Sequence, residues 1–432
     1  MTPYAREMRL MPHIMAMERR GVNIDVGALK TDTDFYFNTL ARLDSEICLI
    51  LGKKVDVDSN DSLADAIEAK GLSNGFAKTP TGRRSTAKES LLGAISNPTL
   101  LGHLLCRGAI ATCVRTFFQP WLTQGLAHDK LYIKWNQFRN YTDTGARTGR
   151  LSSSPNLQNI PVTWEGLQAQ LKAIGYIPGF PLPAMRKYIK PRDGYVFIGR
   201  DYSAQEMRLL AHFAGGGLLK YIQDNPNEDI HQIAATLANI SRREAKTLAF
   251  AILYGAGVGR IAESLNISVS AASMIKSQYL AKLPEIKIFA KSLTDASHIG
   301  EPIKTLAGRE YYVQAPFVVA GRMRTFEYKL TNYKIQGSAA DQTKDAMWRY
   351  ATTTKYGYLC LSVHDQLIVE VPKATVEEER EILKLAVNSA FQDELLYEVI
   401  SDEAIGDNFG NMFKTKTEVM PNKTIVGGTL RT

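Results

Sequence analysis

GYVFIGRDYSAQEMRLLAHFA, Gly194 to Ala214, changes character at its middle. The first half is a short apolar run rich in aromatic and β-branched residues, and it reads as a buried strand ending near Asp201. The second half reads as a helix, with Leu209, Leu210 and Phe213 as its core face. LCLSVHDQLIVEV, Leu359 to Val371, has two β-rich halves about a polar His364–Asp365 pair. It reads as a hairpin with Asp365 at its tip. Acids rarely adjoin such apolar runs unless they are paired or bound to a metal. Two carboxylates brought together from distant segments can hold two hard cations through oxygen. Mg²⁺ suits a sparse set completed by substrate phosphates. Two such ions clamp the attacking and leaving oxygens of an in-line displacement at phosphorus. An ordinary turn aspartate beside an unrelated strand-end one is the simpler reading of these residues alone.

A third stretch changes that balance. In SRREAKTLAFAILYG, Ser241 to Gly255, Ser241 and Glu244 have capping-box spacing, so a helix should start at Arg242. Arg242, Lys246, Phe250 and Tyr254 recur every four residues and form a slowly turning stripe. Its cationic end lies at the helix N-terminus, where the backbone dipole also favours anions. Such a stripe suits a nucleoside triphosphate, phosphates at one end and base and sugar at the other. An amphipathic helix with core aromatics and solvated cations fits as well. YGAGVG, Tyr254 to Gly259, imitates a dinucleotide-binding loop but follows a helix, so Gly255 reads as a helix C-cap.

The whole chain agrees with a polyanionic partner. Its 432 residues carry 52 Lys and Arg against 44 Asp and Glu, a formal charge of +8. That length predicts about two to four domains. Apolar residues at 45% and charged residues at 22% argue against a mostly disordered chain. The four cysteines show no C-x-x-C spacing, which excludes a cysteine-rich zinc module and suits a reducing compartment. No apolar stretch reaches the ~18 residues of a membrane span, and MTPYAREMRL lacks a signal peptide's apolar core. A cytoplasmic protein is expected.

Three basic clusters stand out. Gly71 to Lys88 holds Lys78, Arg83, Arg84 and Lys88 without an acid and reads as an exposed loop. Cations, hydroxyls and amides there could hold phosphates, or the segment could be a solvated linker. Lys134 to Arg150 interleaves Lys134, Arg139, Arg147 and Arg150 with Trp135, Phe138 and Tyr141. MRKYIKPRDG adds Arg186, Lys187, Lys190 and Arg192. Residues 4 to 50 read as helical with a break at Gly21, and 60 to 125 as helical around the basic loop. Residues 150 to 183 read as irregular, and helices are expected to about 297 and again from Thr331. The Met-rich MPHIMAM reads as core packing. His103 and His212 read as structural, and the tail after about 411 as mobile.

Taken together, these stretches resemble family A DNA polymerases, the bacterial polymerase I type. DYSAQEMRLLAHF and VHDQLIVEV resemble the family's two palm motifs, and RREAKTLAFAILYG its nucleotide-binding fingers helix. TGRLSSSPNLQNIP, Thr148 to Pro161, resembles the template–primer motif, and NYKIQGSAAD the minor-groove helix. MERRGVNID matches where the polymerase region begins, and KTPTGRRST the thumb tip. The matches keep the family's order to about Gly410.

The resemblance implies an α+β right-hand fold with an antiparallel-sheet palm, helical fingers and a helical thumb. The implied divisions are a palm and thumb base (1–30), thumb (31–145), palm with the template–primer motif (146–215), fingers (216–325), second half of the palm (326–410) and tail (411–432). It implies template-directed DNA synthesis with two Mg²⁺ ions, on primer–template DNA and deoxynucleoside triphosphates. A monomer without membrane association is expected, with replisome accessory proteins left open. Asp201, Asp365 and the Tyr202 carbonyl would hold the metals. Arg242 and Lys246 would hold the triphosphate, with Lys246 protonating the leaving pyrophosphate and His231 close by. Phe250 and Tyr254 would flank the incoming sugar and base, near Gln205, and Glu206 would exclude a ribose 2′-hydroxyl. Arg150, Asn332 and Gln336 would read the minor groove, and His364 would lie near the primer terminus. Lys78, Arg83, Arg84, Asn156 and Gln158 would meet the DNA.

The sequence departs from the family at three places. Gln366 stands where the second palm motif usually has Glu and removes a third carboxylate. Ala204 and Gln205 replace the usual polar–apolar pair, and Tyr328 replaces an arginine of the minor-groove region. Altered metal dependence or rate is the expectation. No 3′–5′ exonuclease is read in this chain, and motif brevity suggests a phage-like source. A catalytically impaired DNA-binding scaffold and a polymerase with relaxed template use, copying RNA, are the alternatives.

Overall fold

The structure is a computed structural model describing residues 1–79, 82–140, 142–319 and 322–415. Tyr141, Pro80 and Thr81 of the thumb-tip motif, and the tail beyond residue 415, lie outside the described residues.

The N-terminal half is helical, as the spacing predicts. Helix α1, Pro3–Arg20, is capped by the Thr2 side chain and stops at Gly21, whose φ of 62° no β-branched residue adopts readily. Strand β1, Val22–Ile24, follows, and Asp25 caps α2, Val26–Leu51. Helices α3 (Asn60–Ala69), α4 (Lys88–Ala94), α5 (Pro98–Cys113) and α6 (Gln119–His128) follow; α5 and α6 pack on α2, whose Leu43 and Ile47 are buried in one core with Leu104 and Phe118, and α4 packs on α5. Strand β2, Lys130–Leu131, pairs with β1, and β3, Lys134–Asn136, pairs with β4, Ser152–Ser154. The region from 150 to 183, expected to be irregular, contains β4 and helix α7, Glu165–Ala173. Only Leu167 and Leu171 of α7 are buried, too few to make a visible stripe between flanking prolines. Strand β5, Ile189–Lys190, closes the other edge of β1.

Strand β6, Tyr195–Tyr202, is the centre of the main sheet. After it come α8 (Gln205–Ala214), α9 (Gly216–Asp224), α10 (Ile230–Ala238), α11 (Arg242–Leu253), α12 (Val258–Leu265), α13 (Val269–Lys282) and α14 (Pro284–His298). Two small hairpins follow, β7 (Ile303–Lys304) with β8 (Glu310–Tyr311) and β9 (Phe317–Val319) with β10 (Arg322–Arg324). Helix α15, Leu330–Thr353, leads to the hairpin of β11, Tyr358–Val363, and β12, Gln366–Pro372. Helix α16, Val376–Asn388, and strands β13, Ser401–Gly406, and β14, Phe413–Thr415, complete the described chain. The expected tail thus begins with a strand that adds an edge to the sheet.

The sheet order is β11-β12-β6-β13-β14, antiparallel throughout. Val196, Phe197 and Ile198 are buried, and α15 and α16 contact the sheet. Asp201 lies opposite Gln366 on one side and Asp402 on the other, at one end of the sheet. The Met-rich stretch packs only partly: Met17 is buried, whereas Met15 is exposed. His103 reaches Glu46 at 3.2 Å and stands edge-on to Tyr176. The Nδ1 atom of His212 accepts from the Leu396 amide at 3.3 Å, a structural bond. The four cysteines are free thiols. Among the described residues no helix is long and apolar enough to cross a membrane.

Ile198 is fully buried in the central strand. Ile198→Ala is therefore expected to lower unfolding stability by about 2–5 kcal/mol in equilibrium urea unfolding.

Candidate active site

The hairpin turn between β11 and β12 brings Asp365 beside the end of β6. The Tyr202 amide donates to the Asp365 carbonyl at 3.4 Å, so the two aspartates belong to adjoining strand ends. Two non-glycine residues with positive φ flank them, Ala204 at 48° and His364 at 57°. Such conformations are uncommon and gather at functional sites. A cavity of about 310 Å³ opens here, lined by Arg150, Ala204, Gln205, Glu206, Met207, His231, Phe250, Tyr254, His364 and Asp365. It unites residues scattered over more than two hundred positions. A larger cavity, about 670 Å³, lies between the α3–α5 region and Pro161–Leu167, and no predicted site residue lines it.

Glu206, 9% exposed, is the polar hub of one wall. It accepts from Arg150 Nη2 at 2.6 Å, from Gln336 Nε2 at 3.2 Å and from the Tyr254 hydroxyl at 3.4 Å. Gln336 also donates to that hydroxyl at 2.8 Å. Burial, then the Glu206 charge, raises the Tyr254 phenol. Helix α11 forms the other wall. Its capping box is present, and Gly255 follows it with φ of 66°, as the sequence predicts. The Phe250 and Tyr254 rings stack 6.2 Å apart, and His231 lies 6.0 Å from Phe250. Burial pushes the His231 imidazole down to about 4; Asp229 opposes this, and Lys246 and Arg242 add to it.

Several predicted residues have other partners. Arg242 forms a two-pronged bond to Asp229, at 2.6 and 2.8 Å. Asp229 also caps α10, and sequence reading missed it; its one signal is a cap-forming residue preceding the His231 helix. Lys246 is exposed. Gln205 lines the cavity, and its amide also donates to Ala339 O and Gln342 Oε1 on α15 at 3.3 and 2.9 Å. Gln158 donates to Leu151 O and Ser362 O, both at 3.0 Å, and ties its loop to β11. Asn156 accepts from the Gln158 and Asn159 amides within that loop. These bonds hold the loop that carries both residues. Arg84 pairs with Asp65 and Glu68 at 2.5 and 2.6 Å, so its charge is largely neutralised by α3. The cluster near Arg186 is likewise absorbed: Lys187 meets Asp32, and Arg192 meets Glu370. Asn332 Oδ1 is buried without a hydrogen-bond partner.

The donor set fits a cation that keeps much of its shell from water and phosphate. Asp201 and Asp365 would supply two carboxylates, and among the described residues no group of three or more His, Cys, Asp or Glu is arranged to hold a metal ion. Gln366 adds no charge. Its Nε2 leans over Gly199, 3.0 Å from where a Cβ would stand.

Residues 28–411 match the model of DNA polymerase family A. The chain belongs to that family. It is 29% identical over 418 residues to the thermostable DNA polymerase I of Thermus filiformis, covering 92% of this chain and 47% of that protein. It is 28% identical to the thermostable DNA polymerase I of Thermus aquaticus, covering 84% and 42%. Against DNA polymerase I of Chloroflexus aurantiacus the identity is 27%, covering 95% and 43%. The chain thus spans about half the length of these relatives. The POL domain of Pol1 from M. smegmatis, solved in complex with DNA primer-template and dNTP, matches with a TM-score of 0.78 at 23% identity, covering 94% of this chain and 70% of that one. The right-hand α+β fold of the family A enzymes is therefore this chain's fold, with the β6-centred sheet as palm.

His231 should titrate near pH 4 by histidine NMR. Triphosphate binding should move that midpoint upward, because a nearby anion favours the imidazolium.

Proposed function

We propose that this chain is a template-directed DNA polymerase that adds deoxynucleotides to a primer 3′-hydroxyl and releases pyrophosphate. The observation that carries this reading is one cavity bounded by the Asp365 turn, the Glu206 hub and the aromatic stripe of α11. Asp201 and Asp365, with the Tyr202 carbonyl, would hold two Mg²⁺ ions. Bound there, the ions supply charge neutralisation and alignment of the attacking and leaving oxygens. The primer hydroxyl loses its proton to solvent as its oxygen bonds to the α-phosphorus, and the bond to the pyrophosphate oxygen breaks. Lys246 donates a proton to that leaving oxygen. Arg242 turns from Asp229 to the phosphates, and neutral His231 donates a hydrogen bond beside it.

Phe250 and Tyr254 flank the sugar and base. The Glu206 carboxylate is held against the sugar edge by Arg150, Gln336 and Tyr254, where a 2′-hydroxyl would meet it. Arg150, Asn332 and Gln336 read minor-groove acceptors that every base pair offers, so they test shape rather than sequence. His364 adjoins the primer terminus. Lys78 and Arg83 meet duplex phosphates, while Arg84 anchors their loop to α3.

Primer extension on a DNA template with Mg²⁺ tests the reading. Wild type should extend, and Asp365→Asn should lose at least about a hundredfold in rate. No extension by wild type with duplex binding retained would favour the scaffold reading. Extension on RNA at a matching rate would favour relaxed template use. Glu206→Ala should lower the preference for deoxy- over ribonucleotides by about tenfold or more; an unchanged ratio removes the gate from Glu206.

A further inference from the structure

Glu7 lies on α1, outside the residues matched by the family, yet it is 3% exposed and surrounded by cations. Its carboxylate accepts from Lys344 Nζ at 2.7 and 2.9 Å and also from Arg309 Nη2. Gln137 donates to the Glu7 carbonyl at 2.8 Å and to its carboxylate, and the Gln137 carbonyl accepts from Lys344 at 3.1 Å. Arg309 also reaches Asp341 on α15 at 3.2 Å. Two acids and two cations are thereby balanced inside the protein. Removing one acid leaves two cations facing each other across a buried space.

The guanidinium of Arg309 lies flat against the backbone of Gly149. A Cβ at Gly149 would stand 2.7 Å from Arg309 Cζ and 3.0 Å from Nε and Nη2. Gly149 has φ of 77°, so glycine is required there both by conformation and by this contact. The next residue is Arg150, whose guanidinium reaches Glu206 at 2.6 Å. A continuous chain of contacts thus runs from α1 through Arg309 to the backbone that carries Arg150.

We propose that Glu7, acting through Arg309, is a positioning residue for Arg150, fixing the loop that presents this side chain to the nascent base pair. This rests on the polymerase reading above. Glu7 touches no substrate. It sets where the Gly149–Arg150 backbone sits, and so how well Arg150 meets both Glu206 and the minor groove of the nascent base pair.

A double-mutant cycle tests it. Glu7→Gln should lower kcat/KM for nucleotide addition by about tenfold and weaken primer–template binding. In an Arg150→Ala background the same change should matter less than about twofold, because the residue it positions is gone. Equal losses in both backgrounds would overturn the proposal and make Glu7 a general stabiliser. Arg309→Lys keeps the charge but loses the flat group under Gly149. It should repeat the pattern, and it replaces Glu7→Gln if that variant does not fold. Primer–template dissociation constants for all four proteins are measured alongside. If wild type does not extend primers, the polymerase reading fails, and non-additivity in those constants alone still decides the positioning role.

Discussion

Antiparallel pairing of β6 with β12 is the constraint on which the site depends. The register runs from Tyr195 opposite Pro372 to Asp201 opposite Gln366, without interruption. Side chains alternate faces along a strand, and both faces of β6 are covered, since Val196 to Arg200 are buried in succession; a slip of one residue would exchange the two faces and set every buried side chain against the wrong neighbours. Close packing on both faces opposes that slip: Leu367, Ile368, Val369 and Val371 are all fully buried. The packing that stabilises the sheet is therefore also what fixes the distance between the strand end and the Asp365 turn. Positive φ at Ala204 and His364 is tolerated because this rigid frame determines both backbones.

A second constraint comes from α15. A helix buried along most of its length would ordinarily be apolar, yet this one buries Gln336, Asp341, Gln342, Lys344 and Asp345. Buried polar groups must be bonded, and here the partners come from every side: Gln205 on α8, Thr305 and Arg309 before it, Glu7, Arg6 and Arg9 on α1. Burial still lowers the Lys344 ammonium to about 8 despite Glu7. Such a network specifies one arrangement of α1, α8 and α15, since an apolar interface could slide and this one cannot.

How much was legible in the sequence follows from range. The strand to Asp201, the hairpin at Asp365 and the capped helix at Arg242 are local patterns, and each formed as its residues indicate. Helix α7 and strand β1 escaped notice because two buried residues make no readable period, and β14 because three residues are too few to carry one. Residue types carry less than residue partners. The basic character of Arg84, Lys187 and Arg192 was plain, but Glu68, Asp32 and Glu370 lie far enough away in sequence, up to 178 positions, that no spacing rule connects them. Gln205 adjoins Glu206 in sequence, yet helical geometry turns its amide to α15 and leaves Glu206 in the cavity.

Those partners also explain how a site built from cations can exist before an anion arrives. Arg242 and Asp229 are half exposed, at 50% and 41%, and a pair of that kind is worth about 0–1 kcal/mol. On the polymerase reading a triphosphate would displace Asp229 at little cost, and the pair would keep Arg242 near its working position without competing strongly for it. Arg150 and Glu206 are more enclosed, at 22% and 10%, and Gln336 and Tyr254 brace the same carboxylate. Breaking that bond would leave a carboxylate buried and under-paired, which is expensive. On the polymerase reading the two ion pairs would divide the labour by exposure: the solvated one would yield to the nucleotide's phosphates, while the enclosed one would stay intact and hold the shape against which sugar and base pair are tested.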